Sequence, residues 1–264
     1  MTTTSQPFSL AGRVAFIPGG YGDIGRAVAW QLARAGASVA VAGRDAAKAE
    51  ALAAKIAQAG HAALGFALDV KDSAQIRAGT ERVASHFGAL DLLVNCVGMQ
   101  REQRLADVTE AAFDEIVQVN LRAAMFLAQA ASHWQIAAVK AGRAPGRQIH
   151  VLSVRAQLGM RDRGYSAYCA TKGGLVMLIK QHAVELCTHG ITVNGVAPTV
   201  VRGEMGAHWL ADAQVRERLL QRIPLGRVAE PEDVAGPVQF LCSDAASFVT
   251  GQILYLDGGI TATQ

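Results

Sequence analysis

The fold of this chain is decided by residues 13–25, which read RVAFIPGGYGDIG. Arg13 to Ile17 form a short apolar run that predicts a buried strand, and a glycine-rich turn follows it. From about Ile24 to Ala35 apolar residues recur with a helical period, and Gly36 is placed to end that helix. In the order strand, glycine turn and helix, backbone N–H groups at the helix N-terminus can receive a pyrophosphate. A glycine cluster alone would equally indicate a tight turn, so nucleotide binding is inferred from the cluster together with its setting.

A second informative pattern lies far along the chain, at Tyr168 and Lys172. A spacing of four residues on a helix puts the phenol and the ammonium on one face. The cation would lower the pKa of the phenol from its reference of about 10, so the tyrosine could exchange a proton with an alcohol or carbonyl. By itself the pattern is equally typical of an exposed tyrosine beside a solvated lysine, and it gains weight only beside the glycine turn.

Length and composition predict one domain covering residues 1–264. The hydrophobic fraction of 51% is spread over short segments, without a linker, a repeat or a low-complexity block. No apolar run is long enough to span a bilayer. Residues 1–7 lack the basic start and the apolar stretch of a signal peptide. We therefore expect a cytoplasmic protein.

Neither the cysteines nor the net charge indicates a metal, nucleic-acid or membrane site. Cys96, Cys169, Cys187 and Cys242 have no paired spacing and the seven histidines are scattered, so we expect free thiols and no metal site. The formal charge of +3 comes without a basic block, which gives no electrostatic case for nucleic acid or membrane as a partner.

Strands and helices are predicted to alternate along the rest of the chain. Further strands are expected at residues 38–42, 62–68, 90–94, 148–152, 191–197 and 252–256. Further helices are expected at residues 45–60, 73–87 and 110–140, and around Tyr168 as far as about residue 189. This alternation predicts an α/β fold, a Rossmann-type doubly wound parallel sheet with helices on both faces. Ligands of such sheets bind outside the carboxyl ends of the strands, where nearly every distinctive residue of this chain falls.

Several short motifs stand at these strand ends in a characteristic order. They are the glycine turn of residues 19–25, Asp69-Val70, Asn95-Cys96-Val97-Gly98, Asn120, Ser153, Tyr168 with Lys172, Asn194-Gly195-Val196-Ala197-Pro198, and Asp257-Gly258-Gly259. In order and spacing the chain resembles the classical short-chain dehydrogenases/reductases along essentially its whole length. The resemblance implies an NAD(P)(H)-dependent oxidoreductase that interconverts a secondary alcohol and a ketone.

The resemblance also implies four catalytic residues. Tyr168 would act as acid and base, and Lys172 would lower the pKa of that phenol and hold the cofactor ribose. Ser153 would donate a hydrogen bond to the substrate oxygen, and Asn120 would hold a water that links Lys172 to solvent. An N-capping serine and a helix-interior asparagine are the alternatives for the last two. Tyr165 is a competing phenol, but no lysine follows it by four residues, so it is assigned to the substrate pocket.

A larger set of residues is implied as cofactor contacts, some of which depart from the family pattern. Besides Tyr168 and Lys172 the set comprises Gly19, Tyr21, Gly22, Asp23, Ile24, Gly25, Arg44, Asp69, Val70, Asn95, Val97, Gly98, Pro198, Thr199 and Val201. Pro18 replaces a threonine that ties the turn to the Asn95 segment through groups that proline lacks. Asp23 replaces the middle glycine of the turn, and Gly203 replaces the threonine that commonly meets the carboxamide. These departures bear on the geometry of the turn and its distance from the phosphates.

Cofactor choice depends on the end of the second strand. An acidic residue there would accept hydrogen bonds from the ribose hydroxyls and favour NAD(H), but this chain has Gly43 followed by Arg44. The glycine is expected to leave room for a 2′-phosphate, and Arg44 to bind it, unless Asp45 occupies the arginine. We therefore predict that NADP(H) is preferred and NAD(H) possible, and that Gly43→Asp reverses the preference.

The substrate pocket is expected from the segment after Gly98, the loop after Ser153 and residues 199–214. Its candidate residues are Gln100, Arg101, Arg155, Gln157, Met160, Tyr165, Met205 and Trp209. The Ser153-Val154-Arg155 stretch is similar to members that act on sugar acids and polyols such as gluconate. Arg101 or Arg155 would then face a carboxylate, the alternative being a surface or loop-anchoring ion pair for each.

Two other functions and an assembly state complete the expectations. One alternative is a 3-oxoacyl-thioester reductase, which needs a basic surface for an acidic carrier protein. The other is a nucleotide-binding member without turnover, against which stand both Tyr168 and Lys172. The resemblance, together with the apolar segment from Phe248 to Ala262, predicts a homotetramer.

Overall fold

A computed structural model describes residues 7–161 and 163–263, without the side chains of residues 208 and 209. Within these residues seven parallel strands form one sheet in the order β3-β2-β1-β4-β5-β6-β7. The strands are β1 Val14–Pro18, β2 Ser38–Gly43, β3 Ala63–Ala67, β4 Leu92–Asn95, β5 Arg147–Val151, β6 Thr192–Pro198 and β7 Ile253–Leu256. The predicted single-domain Rossmann-type sheet is confirmed, with strand ends shifted by one or two residues.

The order of the strands reverses beside β1. The chain runs outward from β1 through β2 to β3, and then returns to pair β4 with the other edge of β1. Such a reversal opens a crevice at the carboxyl ends of the two central strands. The glycine turn after β1 and the Asn95 segment after β4 both lie at this crevice.

Helices cover both faces of the sheet. They are α1 Asp23–Arg34, α2 Ala46–Gln58, α3 Ser73–Phe87, α4 Glu110–Val117, α5 Ala123–Lys140, α6 Ser166–Leu186, α7 Ala207–Ala211, α8 Ala213–Gln221 and α9 Pro231–Cys242. Ala15 and Ile17 of β1 pack with α1, α2 and α9, whereas Phe16 packs with α3 and α5. Both faces of the strands are therefore apolar, as in other parallel sheets. No helix in the described ranges has the length and apolar character needed to cross a bilayer.

The structure corrects the predicted helices at two places. The helix expected at residues 110–140 is interrupted by a π-helical turn, Gln118–Arg122, between α4 and α5. Helices α7, α8 and α9 were not predicted. For α9 a local signal was present, because Glu230 and Asp233 form a capping box around Pro231, the first helical residue.

Candidate active site

The glycine turn after β1 packs directly against the chain that follows β4. Gly19 has φ +75°, and a Cβ there would meet the carbonyl carbon of Cys96 at 2.8 Å, so only glycine fits. The N–H of Cys96 donates to the carbonyl of Pro18 at 3.0 Å. Pro18 therefore ties the turn to the Asn95 segment after all, because the bond uses its carbonyl oxygen and needs neither a hydroxyl nor an N–H.

Two departures from the family pattern, Asp23 and Gly203, lie in contact. The Asp23 carboxylate accepts a hydrogen bond of 2.7 Å from the N–H of Glu204. Gly203 has φ +157°, and a Cβ there would overlap the Asp23 carboxylate. The aspartate thus fills the volume that a side chain at position 203 would need. The contact between Asp23 and Gly203 was not predicted, because the two residues are far apart in the sequence.

Tyr168 and Lys172 are buried on one face of α6. Tyr168 is 8% exposed and Lys172 is 2% exposed. The ammonium of Lys172 donates to the carbonyl of Val151 at 2.9 Å and lies 5.6 Å from the centroid of the Tyr168 ring. Burial lowers the pKa of Lys172 to about 8. The shared face predicted from the sequence is therefore present.

The net shift of the Tyr168 pKa is upward, opposite to the lowering expected from Lys172. Burial raises the pKa of Tyr168, and only a hydrogen bond with Ser153 and the positive charge of Arg155 act in the opposite direction. The Lys172 ammonium donates to the carbonyl of Val151 rather than to the phenol oxygen. In this state Tyr168 is a neutral phenol, ready to donate a proton.

Ser153 takes the capping role considered for it, and its hydrogen bond to the substrate oxygen stays a prediction. Its hydroxyl accepts a hydrogen bond of 3.2 Å from the N–H of Arg155 and so caps a short 3₁₀ helix, Val154–Ala156. The same hydroxyl hydrogen-bonds with the phenol of Tyr168. Capping therefore fixes the position of a hydroxyl that stands beside the proton donor.

Asn120 lies in the π-helical turn rather than in an uninterrupted helix. Its side-chain oxygen accepts from the N–H of Met99 at 2.8 Å and its amide nitrogen donates to the carbonyl of Met99 at 2.9 Å. A Cβ on Gly98 would lie 3.6 Å from the ammonium of Lys172 and 4.0 Å from the Asn120 oxygen. Asn120 therefore holds the chain after β4 against Lys172, and its predicted water stays a prediction.

One cavity of about 440 Å³ joins the glycine turn to Tyr168. It is lined by every predicted cofactor contact except Asn95, and by Gln100, Arg155, Met160, Tyr165 and Met205 of the predicted substrate pocket. Asn95 is buried behind it, where its side chain hydrogen-bonds with the Val97 N–H and the His150 ring. Arg101 and Gln157 do not line the cavity, and the side chain of Trp209 lies outside the described part of the chain. Arg222, at the end of α8, lines the cavity without any local signal that would have predicted it.

The space expected beside Gly43, at the end of β2, is occupied in the structure. A Cβ on Gly43 would lie 2.8 Å from Cζ of Tyr21, so the tyrosine ring already fills the space that the glycine was expected to leave open. The Tyr21 hydroxyl accepts a hydrogen bond of 3.1 Å from the N–H of Asp45. Asp45 caps α2 through the N–H of Lys48 rather than pairing with Arg44. Arg44 is exposed and lines the cavity.

Tyr165 lies 6.3 Å from Tyr168, measured between ring centroids. Its hydroxyl accepts from Nε2 of Gln100 at 2.7 Å and donates to a carboxylate oxygen of Glu102 at 3.2 Å. Burial and the Glu102 charge raise the pKa of Tyr165 well above its usual value. A phenol held protonated by a carboxylate is a poor base, which supports the choice of Tyr168.

Three further expectations from the sequence concern Arg101, the cysteines and metal binding. Arg101 forms an ion pair of 2.8 Å with Glu115 on the surface, the alternative considered for it. The four cysteines are free, as predicted. Across the described ranges, no group of three or more histidine, cysteine, aspartate or glutamate residues could hold a metal ion.

Comparisons with known proteins identify relatives that match nearly the whole chain. Residues 21–261 match the family described as enoyl-(acyl carrier protein) reductase. The chain is 35% identical to a D-threitol dehydrogenase of Mycolicibacterium smegmatis over 254 residues, 96% of this chain and 95% of that protein. It is 36% identical to a 3-oxoacyl-[acyl-carrier-protein] reductase of Staphylococcus aureus over 248 residues, 93% of this chain and 97% of that protein.

A solved structure extends the likeness to three dimensions. The gluconate 5-dehydrogenase from Burkholderia cenocepacia, in complex with NADP and tartrate, superposes with a TM-score of 0.92. It is 34% identical, and the match covers 98% of each chain. The chain belongs to the classical short-chain dehydrogenase/reductase family, whose members here are oxidoreductases acting on CH–OH groups.

Proposed function

We propose that this enzyme interconverts a secondary alcohol and a ketone with NAD(P)(H), using Tyr168 as acid and base. The observation that carries the proposal is the cavity that joins the glycine turn to Tyr168, Ser153 and Lys172. One end of this cavity offers the N-terminus of α1 to phosphates. The other end offers a protonated phenol and a hydroxyl to the substrate oxygen.

The residues of the cavity fit a dinucleotide. The glycine turn packs against Cys96 and Val97, and the start of α1 lines the cavity. Arg44 directly follows β2, the strand next to β1 in the sheet. An adenosine ribose is expected at this strand end. When bound, the nicotinamide ring supplies or accepts the hydride.

The chain's own groups handle the proton and the developing charge. In ketone reduction the Tyr168 hydroxyl donates its proton to the substrate oxygen, and Ser153 donates a second hydrogen bond to that oxygen. In alcohol oxidation the Tyr168 oxygen must lose its proton first, and burial opposes this because it raises the pKa. Lys172, held between Val151 and Gly98, places a positive charge beside the ring of Tyr168.

An absorbance assay at the NADPH wavelength tests the reaction class. Gluconate, glucitol and threitol are offered with NADP, and the corresponding ketones with NADPH, from pH 6 to pH 10. Because Tyr168 is protonated near neutral pH, we expect reduction to be retained at pH 7 and oxidation to accelerate as the pH rises. Cofactor binding without turnover of any alcohol or ketone would instead identify a non-catalytic member.

Sugar acids or polyols are the proposed substrates, and a 3-oxoacyl thioester is the alternative. Relatives of both kinds cover nearly the whole chain. Two arginines on this side of the protein are paired with glutamates, Arg101 with Glu115 and Arg202 with Glu230. Paired arginines give a weak basic surface for an acidic carrier protein. A higher kcat/KM for acetoacetyl thioesters than for every sugar derivative would favour the alternative.

We propose NADP(H) as the preferred cofactor. Arg44 lines the cavity, and among the described residues its guanidinium forms no ion pair, so it is available to a 2′-phosphate. Solved relatives are described with NADP bound. The Gly43→Asp variant no longer tests this preference cleanly, because the new side chain would collide with the Tyr21 ring.

Arg44→Gln is the better test of cofactor choice. Loss of a charge-assisted pair is expected to lower kcat/KM for NADP(H) by about 10- to 100-fold and to change that for NAD(H) less than about threefold. Lys48→Gln, one turn into α2 and outside the cavity, is the matched control for loss of a positive charge. An equal loss with both cofactors would contradict the role of Arg44.

A homotetramer in the cytoplasm stays a prediction. Phe248 is fully exposed, and Leu254 on the edge strand β7 is also exposed, so the segment from Phe248 to Ala262 presents apolar surface. A partner subunit would cover this surface, and light scattering that gave a monomer at micromolar concentration would contradict it.

A further inference from the structure

Two arginines that line the cavity, Arg155 and Arg222, have no carboxylate partner among the described residues. The guanidinium of Arg155 donates only to main-chain carbonyls, those of Leu158 at 3.2 Å and of Gly159. Arg222 ends α8 and forms no ion pair with any residue that the structure describes. Arg202, which also lines the cavity, is paired with Glu230, so Arg155 and Arg222 differ from it.

Arg155 and Arg222 line the same cavity as Ser153 and Tyr168. Arg155 follows Ser153 by two residues, and its positive charge acts to lower the pKa of the Tyr168 phenol. Burial lowers the pKa of Arg155, and the charge of Arg222 lowers it further. Arg155 is half-buried whereas Arg222 is exposed, so the cost of desolvation falls on Arg155, and a counter-charge from a ligand would offset it.

The acidic residues that line the cavity do not supply that counter-charge. Asp23 accepts from the main chain of Glu204, Asp69 accepts from the N–H of Lys71, and Glu115 binds Arg101. Glu204 also lines the cavity, but it forms no ion pair with either arginine. The counter-charge is therefore expected from a ligand.

We propose that Arg155 and Arg222 form a subsite for a carboxylate of the substrate. This inference rests on the proposed function and narrows its substrates to hydroxy acids and their keto acids, in preference to neutral polyols. A guanidinium presents parallel N–H donors that match the two oxygens of a carboxylate. Gln100 adds a complementary group, because its amide nitrogen is bound to Tyr165 and its amide oxygen is left to accept from a substrate hydroxyl.

Tartrate and threitol are a matched pair of probes for this subsite. They share a four-carbon skeleton with two internal hydroxyls, and they differ in having carboxylates or neutral CH₂OH ends. Each is titrated calorimetrically into enzyme saturated with NADP, as wild type and as Arg155→Gln, Arg222→Gln and Arg218→Gln. Arg218 lies one turn before Arg222 on α8 and is exposed like Arg222, but it does not line the cavity, so it controls for loss of charge.

Wild-type enzyme is expected to bind tartrate at least about tenfold more tightly than threitol. Arg155→Gln and Arg222→Gln should each weaken tartrate by about 10- to 100-fold and threitol by less than about threefold. Arg218→Gln should retain the wild-type ratio. Because the Arg155 charge also acts on Tyr168, a binding readout and the Arg222 variant are used rather than turnover at one pH.

The outcomes separate this inference from the proposed function. Equal affinity for the two probes, or a ratio unchanged in Arg222→Gln, would overturn the carboxylate subsite even if threitol or glucitol is oxidised. Tighter binding of inorganic phosphate than of tartrate would overturn it as well. Failure of NADP itself to bind would contradict the proposed function before either probe is added.

Discussion

Replacement of Tyr168 by phenylalanine is expected to lower kcat by about 10²- to 10⁴-fold, the usual contribution of a positioned general acid or base. The ring stays in place between Ser153 and Lys172, and only the oxygen that carries the proton is removed. Cofactor affinity, measured by NADPH fluorescence, should therefore change less than about threefold. Single-turnover kinetics with the best substrate of the assay give the chemical rate directly.

Tyr165→Phe is the matched comparison for this variant. It removes the neighbouring phenol, which is bound to Gln100 and Glu102 and lies 6.3 Å from Tyr168 between ring centroids. We expect a change below about tenfold, seen mainly in KM, because the lost hydrogen bonds shape the pocket rather than carry the proton. If Tyr165→Phe abolished turnover and Tyr168→Phe did not, the two phenols would have to exchange roles.

Gly203→Thr is expected to destabilise the protein by several kcal/mol. The new Cβ would overlap the Asp23 carboxylate, for which overpacking costs about 1–3 kcal/mol. The backbone at φ +157° adds about 1–3 kcal/mol for any residue other than glycine. The measurement is the free energy of unfolding from a denaturant titration, together with the Kd for NADPH, since residues 203–206 line the cavity.

The double variant Asp23→Gly/Gly203→Thr tests whether the two departures depend on each other. Asp23→Gly alone should cost about 1–3 kcal/mol, because the N–H of Glu204 loses a charge-assisted acceptor. In the double variant the overlap is gone, so its free energy of unfolding should exceed the value expected from additive losses by about 1–3 kcal/mol. Strict additivity would show that Asp23 and Gly203 vary independently.

The sequence predicted the fold and the pairing of Tyr168 with Lys172 because both depend on short-range patterns. The run from Arg13 to Gly25 specifies strand, turn and helix through side-chain periodicity and glycine geometry, which act over a few residues. The spacing of Tyr168 and Lys172 on α6 places both on one face for the same reason. The capping box of α9 is also local, so that helix was within reach of the sequence although it was not predicted.

Other features of the site depend on segments that meet only after folding. The Asp23 carboxylate reaches a residue 181 positions away, and the Tyr21 ring covers Gly43 at the end of the next strand. Neither contact follows from periodicity, because it is set by how the loops after β1, β2 and β6 pack together at the crevice.

The sequence by itself determined the Rossmann-type sheet, the family and the four catalytic candidates, since these follow from local periodicity and from the order of short motifs along the chain. Only the tertiary structure decided the contacts, the burial and the pKa shifts of these groups. It directs the Lys172 ammonium to Val151, buries Tyr168 and brings the charges of Arg155 and Arg222 into one cavity. Burial and the distance between charges set a pKa, and both are properties of the packed molecule rather than of the order of residues.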